Sequence, residues 1–165
     1  MKAKLLRMFL PIALVFTLVS CSKDEEATST NDYRLVTAYD YTAEETDLAT
    51  RLNDYRASQG LNRLEIVNHI SFKSFEHNEY MIENNVVSHD HFELRADNIK
   101  HVLGAVRVGE NVAYNFSTPA SALNAWLNSP GHKANIEGDY THFGVSITIN
   151  PANGRRYFTN IFMKR

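Results

Sequence analysis

The C-terminal end of the chain constrains the fold most. Phe143, Val145, Ile147 and Ile149 alternate with Gly144, Ser146 and Thr148, and period-two alternation sends successive side chains to opposite faces of a half-buried strand. Asn153-Gly154 follows, a dipeptide suited to the positive φ of a tight hairpin turn, and Tyr157 to Met163 reads as the returning strand. Val108 to Tyr114 is expected to add another. A strand pair needs neighbours and an apolar cover to be stable, and the upstream sequence supplies the cover.

There the period is helical. Thr42-Ala43-Glu44-Glu45 is a capping-box pattern, in which a threonine hydroxyl and a glutamate three residues on satisfy each other's backbone amides. Leu48, Leu52 and Tyr55 recur at helical spacing and Gly60 supplies a stop, which predicts a helix over about 43–58. Ile66 to Val86 reads as a second helix with two apolar stripes, Ile66, Ile70 and Met81 on one and Phe72, Phe75, Ile82 and Val86 on the other. A helix apolar on two sides belongs between layers. His77 falls on the first stripe and reads as a core histidine with a satisfied hydrogen bond. Ala120 to Leu127 is a third helix opened by Ser117 or Thr118, with Pro119 in its first turn. Ser129 as cap and Pro130 at the first position start a short helical turn through Asn135, and Trp126 is assigned to the core. Helices first and a meander last predict an α+β fold with helices packed on a small antiparallel sheet.

At the other end, Lys2, Lys4 and Arg7 precede an apolar run from Met8 to Ser20. The run is shorter than the roughly 20 residues that cross a bilayer, and it has the charge and length of a secretory signal. It ends at Leu18-Val19-Ser20-Cys21, which resembles a bacterial lipobox, the lone cysteine standing where such signals are cleaved and lipidated. The expected division is residues 1–20 as signal, 21–41 as lipidated Cys21 and flexible tether, and 42–165 as the domain. Twenty such tether residues would reach about 25 Å. Localisation is then extracytoplasmic, with the chain lipid-anchored to the bacterial envelope at the outer membrane.

Composition closes off several functions. The 165 residues suit one domain, and a formal net charge of −2 offers no basic field for nucleic acid. Past residue 20 the balance becomes more acidic, with fourteen Lys+Arg against nineteen Asp+Glu, so the domain itself is not drawn to anionic membrane surfaces. A single cysteine excludes an intramolecular disulfide, a zinc ribbon and a redox pair. The sequence carries no GxSxG, HExxH, P-loop or dinucleotide fingerprint, and no apolar stripe that identifies a protein partner. What remains is a scatter of polar groups: His89 and His91, two apart and on one face if extended; Glu110 between Gly109 and Asn111; His132 after Pro130-Gly131; and His142 at the start of the alternating strand.

Five segments in order resemble the CAP superfamily (cysteine-rich secretory proteins, antigen 5 and pathogenesis-related proteins), in its bacterial SCP-domain branch. Asn53-Asp54-Tyr55-Arg56 is similar to the N-x-x-R of the family's first helix, and Val87-Ser88-His89 to the segment ending in a cavity histidine. Gly109-Glu110-Asn111-Val112 matches G-E-N. The run from Trp126 to Ile136 matches W-x-x-S-P-G-H-x-x-N-I, and Thr141-His142-Phe143-Gly144-Val145 is similar to the strand assigned the second cavity histidine. The resemblance implies a three-layer α-β-α sandwich. It also implies a cleft in which His89, Glu110 and His142 hold three of the family's four places. Ser129 stands where the family has a second glutamate, and His132 lies close by. Three histidines and one carboxylate suggest a divalent metal such as zinc. The expected function is an extracytoplasmic, lipid-anchored binding module, its membrane contact through Cys21, taking a metal or a small apolar or envelope ligand. The alternative is a metal-dependent hydrolase with Glu110 as the base.

Overall fold

The computed structural model describes residues 33–165; the signal run, Cys21 and the first part of the tether lie outside the described residues. Thr42 caps helix α1 (Ala43–Ser58) as its sequence predicts, its hydroxyl accepting from the Glu45 amide while Glu45 returns to the Thr42 N–H. Helix α2 (Asn68–Glu83) is shorter than the 66–86 expectation, because Ile66 belongs to a two-residue strand β1 (Glu65–Ile66). Helix α3 (Phe92–Leu103) has no counterpart among the sequence expectations. Strand β2 (Arg107–Tyr114), helices α4 (Pro119–Leu127) and α5 (Pro130–Ile136), and strands β3 (His142–Ile149) and β4 (Arg156–Lys164) complete the order. Thr118 caps α4, whereas the Ser129 hydroxyl caps nothing; proline at the first turn alone marks the start of α5.

The sheet runs β1-β3-β4-β2, antiparallel except for β1, which pairs parallel to β3 over two residues. Register places Val108, Glu110 and Val112 on one face with Met163, Ile161 and Thr159, and with His142, Gly144 and Ser146. Helices α2 and α3 pack on this face, and α1, α4 and α5 lie on the β-side turned the other way. The result is the expected three-layer sandwich. Leu48, Leu52, Trp126, Phe143, Val145, Phe158 and Phe162 fill the core on the α1/α4 side. Ile70, Ile99 and Ile161 form a smaller core beneath α2 and α3.

The burial of α2 departs from the two apolar stripes. His69, Ser71, Ser74, His77 and Asn78 are buried together with Ile70 and Met81, while Phe72 and Phe75 are half-buried. Polar side chains are tolerated there because each bonds the sheet or a neighbouring segment: Asn78 donates to the Ser146 carbonyl, and the Ser71 hydroxyl accepts the Val145 amide. Gly144 makes the approach possible, since a Cβ there would collide with the α2 backbone at Ile70 and Ser71.

Residues 33–41, read from sequence as tether, run along the domain as a strap. The Val36 amide donates to His69 Nδ1 at 3.1 Å and the Thr37 carbonyl accepts from Asn68. The Tyr39 hydroxyl donates to Glu45, and the Tyr41 hydroxyl to Asn68. The ordered domain therefore begins upstream of residue 42.

Candidate functional site

Glu110 sits in the middle of β2 with its side chain almost wholly buried. Burial alone would raise its carboxyl pKa, but hydrogen bonds from His89 and Arg95, with the charge of Arg95, outweigh it and hold the group below the usual range. Arg95, from α3, donates through Nε to Oε2 and through Nη2 to Oε1, both at 2.9 Å. This two-point fork is the strongest pairing a carboxylate makes with a side chain. His89 Nδ1 donates to Oε1 at 2.8 Å, which leaves its Nε2 on the outer side of a half-exposed ring. The loop is fixed from behind, as Arg95 Nη1 donates to the Asp90 carbonyl and His77 Nε2 to the Ser88 carbonyl. His77 Nε2 also stands 3.9 Å from Glu110 Oε1. Burial, followed by the Arg95 charge, lowers the His77 pKa and favours the neutral ring; its buried Nδ1 has no partner among the described residues.

The next residue serves the opposite layer. Successive strand side chains point to opposite faces, so Asn111 reaches α5: its Nδ2 donates to the His132 carbonyl and its Oδ1 accepts from Asn135, which also donates to the Glu110 carbonyl. The Gly-Glu-Asn triplet thus ties both helical layers to one strand. Its glycine is required by contact, because a Cβ at Gly109 would run into the Tyr140 hydroxyl. Asn111 and Asn135 together place His132 beside the β2 edge. Burial, and then the charge of His89, lowers the His132 pKa, so the two imidazoles share one electrostatic environment.

Of the predicted site residues, His89 and Glu110 meet directly, His132 is held nearby through its backbone carbonyl on Asn111, and His142 lies apart. His142 lies on β3, with β4 between it and β2, a separation of two strand spacings or about 10 Å. Its ring bonds Thr141 at 2.7 Å and faces Glu65 at 3.6 Å on the far edge. The shared face of β2 and β3 is real, but α2 fills it through Ile70 and Ser71. His91 is not aligned with His89 either, since it adopts a left-handed φ of 58° at the start of α3 and packs edge-on to Tyr80. The residue missed from sequence is Arg95, whose only advance signal was an arginine in an unassigned stretch. Asn53 and Arg56 prove to be loop anchors: Asn53 brackets Leu64, and Arg56 donates to the Asn62, Ile136 and Gly138 carbonyls.

The donor set does not fit a divalent metal. Both oxygens of Glu110 are spent on a guanidinium, whose positive charge opposes a second cation, and zinc needs three protein ligands or more. Among the described residues no group of three or more His, Cys, Asp or Glu is placed to hold an ion. The same three donors, from His89 and Arg95, hold Glu110 below the usual carboxylate range, which makes it a weak proton acceptor for general-base chemistry.

A groove of about 590 Å³ opens on the other edge of the sheet, between the strap, α2 and β3. Phe72, Phe75, Ile147 and Ile149 supply its apolar lining, with Tyr39 and Asp40 from the strap. Among the described residues no strand pairs with this stretch of β3, and the amides of Val145 and Ile147 are bonded by Ser71 Oγ and Glu45 Oε1 instead.

Comparison with known proteins supports the architecture. The profile of the cysteine-rich secretory protein family, CAP, matches residues 49–162. The uncharacterized membrane protein YlbC of Bacillus subtilis (strain 168) is 36% identical over 130 residues, covering 75% of this chain and 35% of its own length. The uncharacterized protein YkwD of the same organism is 32% identical over 97 residues, 56% of this chain and 38% of its own. The chain spans little more than a third of these relatives. Among solved structures, an outer surface protein from Borrelia burgdorferi superposes with a TM-score of 0.67 at 24% identity, over 79% of this chain and 99% of that one. An extracellular SCP-domain protein from Bacillus anthracis str. Ames gives 0.64 at 24% identity, over 78% and 45%. The sandwich, the five segments in order and the profile match agree: the chain belongs to the cysteine-rich secretory protein (CAP) family.

Proposed function

We propose that the chain is an extracytoplasmic CAP-domain protein, lipid-anchored through Cys21, that works as a binding module for a small apolar ligand. The observation that carries the reading is the groove beside β3. Its volume of about 590 Å³ falls within the roughly 300–1,000 Å³ of small-molecule sites, and its mix of aromatic and aliphatic walls with a few polar groups is their usual chemistry. None of its lining residues is basic, while Asp40 and Glu45 are acidic. A neutral or positively charged head group suits it better than a carboxylate.

The anchor is supported by the sequence of residues 1–21 and by the names of relatives, which describe a membrane protein, an outer surface protein and an extracellular protein. No described helix is long and apolar enough to cross a membrane. The hydrolase alternative finds no support at Glu110, whose oxygens are both engaged.

Residues 33–165 contain all three clusters of packed apolar side chains and serve for the test. The neutral probe N-phenyl-1-naphthylamine should bind with saturation and be displaced at least tenfold more readily by dodecylamine than by dodecanoate. Ile149→Glu, at an exposed strand edge, should abolish binding without moving the melting temperature. Equal binding by Ile149→Glu, or none by the unaltered domain, would sink the assignment.

A further inference from the structure

The groove beside β3 has one charged side chain to offer a ligand. Two acids line it, Asp40 and Glu45. Glu45 is filled, taking the Tyr39 hydroxyl, the Ile147 amide and the Thr42 amide and hydroxyl. Asp40 stands exposed on the strap, and its carboxylate has no hydrogen bond or ion pair among the described residues. The other polar atoms of the lining are spent on the fold. The Tyr39 hydroxyl bonds Ser146 Oγ as well as Glu45, and the Ser146 carbonyl and Thr148 Oγ1 accept from Asn78. An entering ligand thus meets one anion, few free donors or acceptors, and aromatic walls.

Given the groove as the ligand site, on which this rests, we propose that it selects an alkyl chain ending in a quaternary ammonium, with Asp40 as counter-ion and the rings of Tyr39, Phe72 and Phe75 against the methyl groups. A quaternary ammonium has no N–H, so it gives up no hydrogen bond that the groove fails to return. A primary ammonium brings three donors to a lining with few acceptors left, and unmet donors are costly once water is excluded. Aromatic faces attract such cations through the ring quadrupole. Phe72 and Phe75 form an open wedge, their centroids 6.3 Å apart and their planes at 37°. The Tyr39 ring is fixed by its hydroxyl bonds and by an edge contact with Tyr41 at 4.8 Å. The fold already uses this chemistry once, since the Lys73 ammonium lies 5.7 Å from the Phe72 centroid while bonding Glu76. Among the described residues no cation of the chain covers Phe75 or Tyr39. Ile147 and Ile149 then provide the apolar wall for the chain.

The test uses the full chain carrying Cys21→Ser, so that no acyl group of its own competes, with N-phenyl-1-naphthylamine as the bound probe. Decyltrimethylammonium should displace the probe at about fivefold lower concentration than decylamine and about tenfold lower than decanol. Choline, which has the head without the chain, should displace none at those concentrations. Asp40→Asn should reduce the preference over decanol about threefold to fivefold. Phe75→Leu keeps an apolar wall and removes a ring, and should lower the preference over decylamine to about twofold. Equal displacement by decyltrimethylammonium and decylamine would overturn the head-group assignment and leave the groove as a site. So would choline as effective as either, or preferences unchanged in a folded Asp40→Asn or Phe75→Leu. A probe that does not bind at all would remove the groove and the head group together.

Discussion

Glu45 Oε1 accepts the backbone amide of Ile147 at 2.9 Å, joining the first turn of α1 to the open edge of β3 across 102 residues of sequence. The same carboxylate takes the Tyr39 hydroxyl on Oε1 and the Thr42 amide and hydroxyl on Oε2. A buried acid is held here by four neutral donors. It closes a helix cap, clamps the strap and plugs a sheet edge that would otherwise offer a free amide to another strand.

Glu45→Ala should therefore cost more than a helix cap. Loss of the capping box contributes about 1 kcal/mol, and the buried Ile147 amide left without an acceptor adds about 1–3 kcal/mol. A total of about 3 kcal/mol would lower the melting temperature by about 10 °C for a domain of this size. Thermal unfolding followed by circular dichroism checks it. A shift of about 3 °C or less would mean that Glu45 acts as a cap alone.

The histidine that joins the cluster can be identified by titration. His132 has its pKa lowered first by burial and then by the charge of His89. Replacing His89 with Ala should move the His132 pKa part of the way back toward its ordinary value, the share due to burial remaining. His142→Ala should leave it unmoved, because His142 bonds Thr141 and faces Glu65 on the far edge. Proton NMR of the imidazole resonances against pH distinguishes the two variants, and an equal response to both would restore His142 to the site.

How much of this was legible beforehand depends on the range of the signal. The capping box at Thr42 and Glu45, the alternation in β3 and the Asn153-Gly154 turn are written within a few residues, and each element appears where its pattern puts it. Helix α3 was not legible because its ends are set by backbone conformation rather than side-chain caps: His91 and Gly104 both adopt left-handed φ. Its functional residue, Arg95, acquires meaning only when α3 is laid against β2. The place of His142 was misread for a related reason. Strand parity correctly gives the sheet face, since His142 and Glu110 do share one, but strand order puts β4 between them. The interruption of the second helix at Ile66 likewise follows from pairing with β3, which no local pattern announces.

Acid should weaken the fold in two separate steps. Burial is the chief cause that lowers the pKa of both His69 and His77, and His69 must stay neutral for Nδ1 to accept the Val36 amide. Both contribute stability that is intact above the unfolded-state value of about 6.5 and is lost as pH falls through their folded values. Glu110, held below the usual carboxylate range, contributes stability that is intact above about 4.3 and is lost further down. Urea unfolding at pH 8, 6 and 5 should show stability decreasing by up to about 1.4 kcal/mol per pH unit for each histidine. His69→Gln should flatten that first decline, and a flat wild-type profile between pH 7 and 5 would contradict it.

The anchor is tested apart from the fold. Cys21 follows Leu18-Val19-Ser20 and is the sole cysteine of the chain, so a thioether-linked lipid has one place to go. Each buried methylene of an acyl chain contributes about 0.8 kcal/mol of membrane affinity, and three chains hold a protein against salt and alkaline washing. Cells grown with an alkyne-tagged palmitate should label the wild-type chain, and intact mass should begin at an acylated residue 21. Cys21→Ser should lose the label entirely while residues 33–165 keep the same melting temperature. A wild-type mass without acyl groups, or label persisting in Cys21→Ser, would remove the membrane from the proposed function and leave the groove and the Arg95–Glu110 pair unaffected.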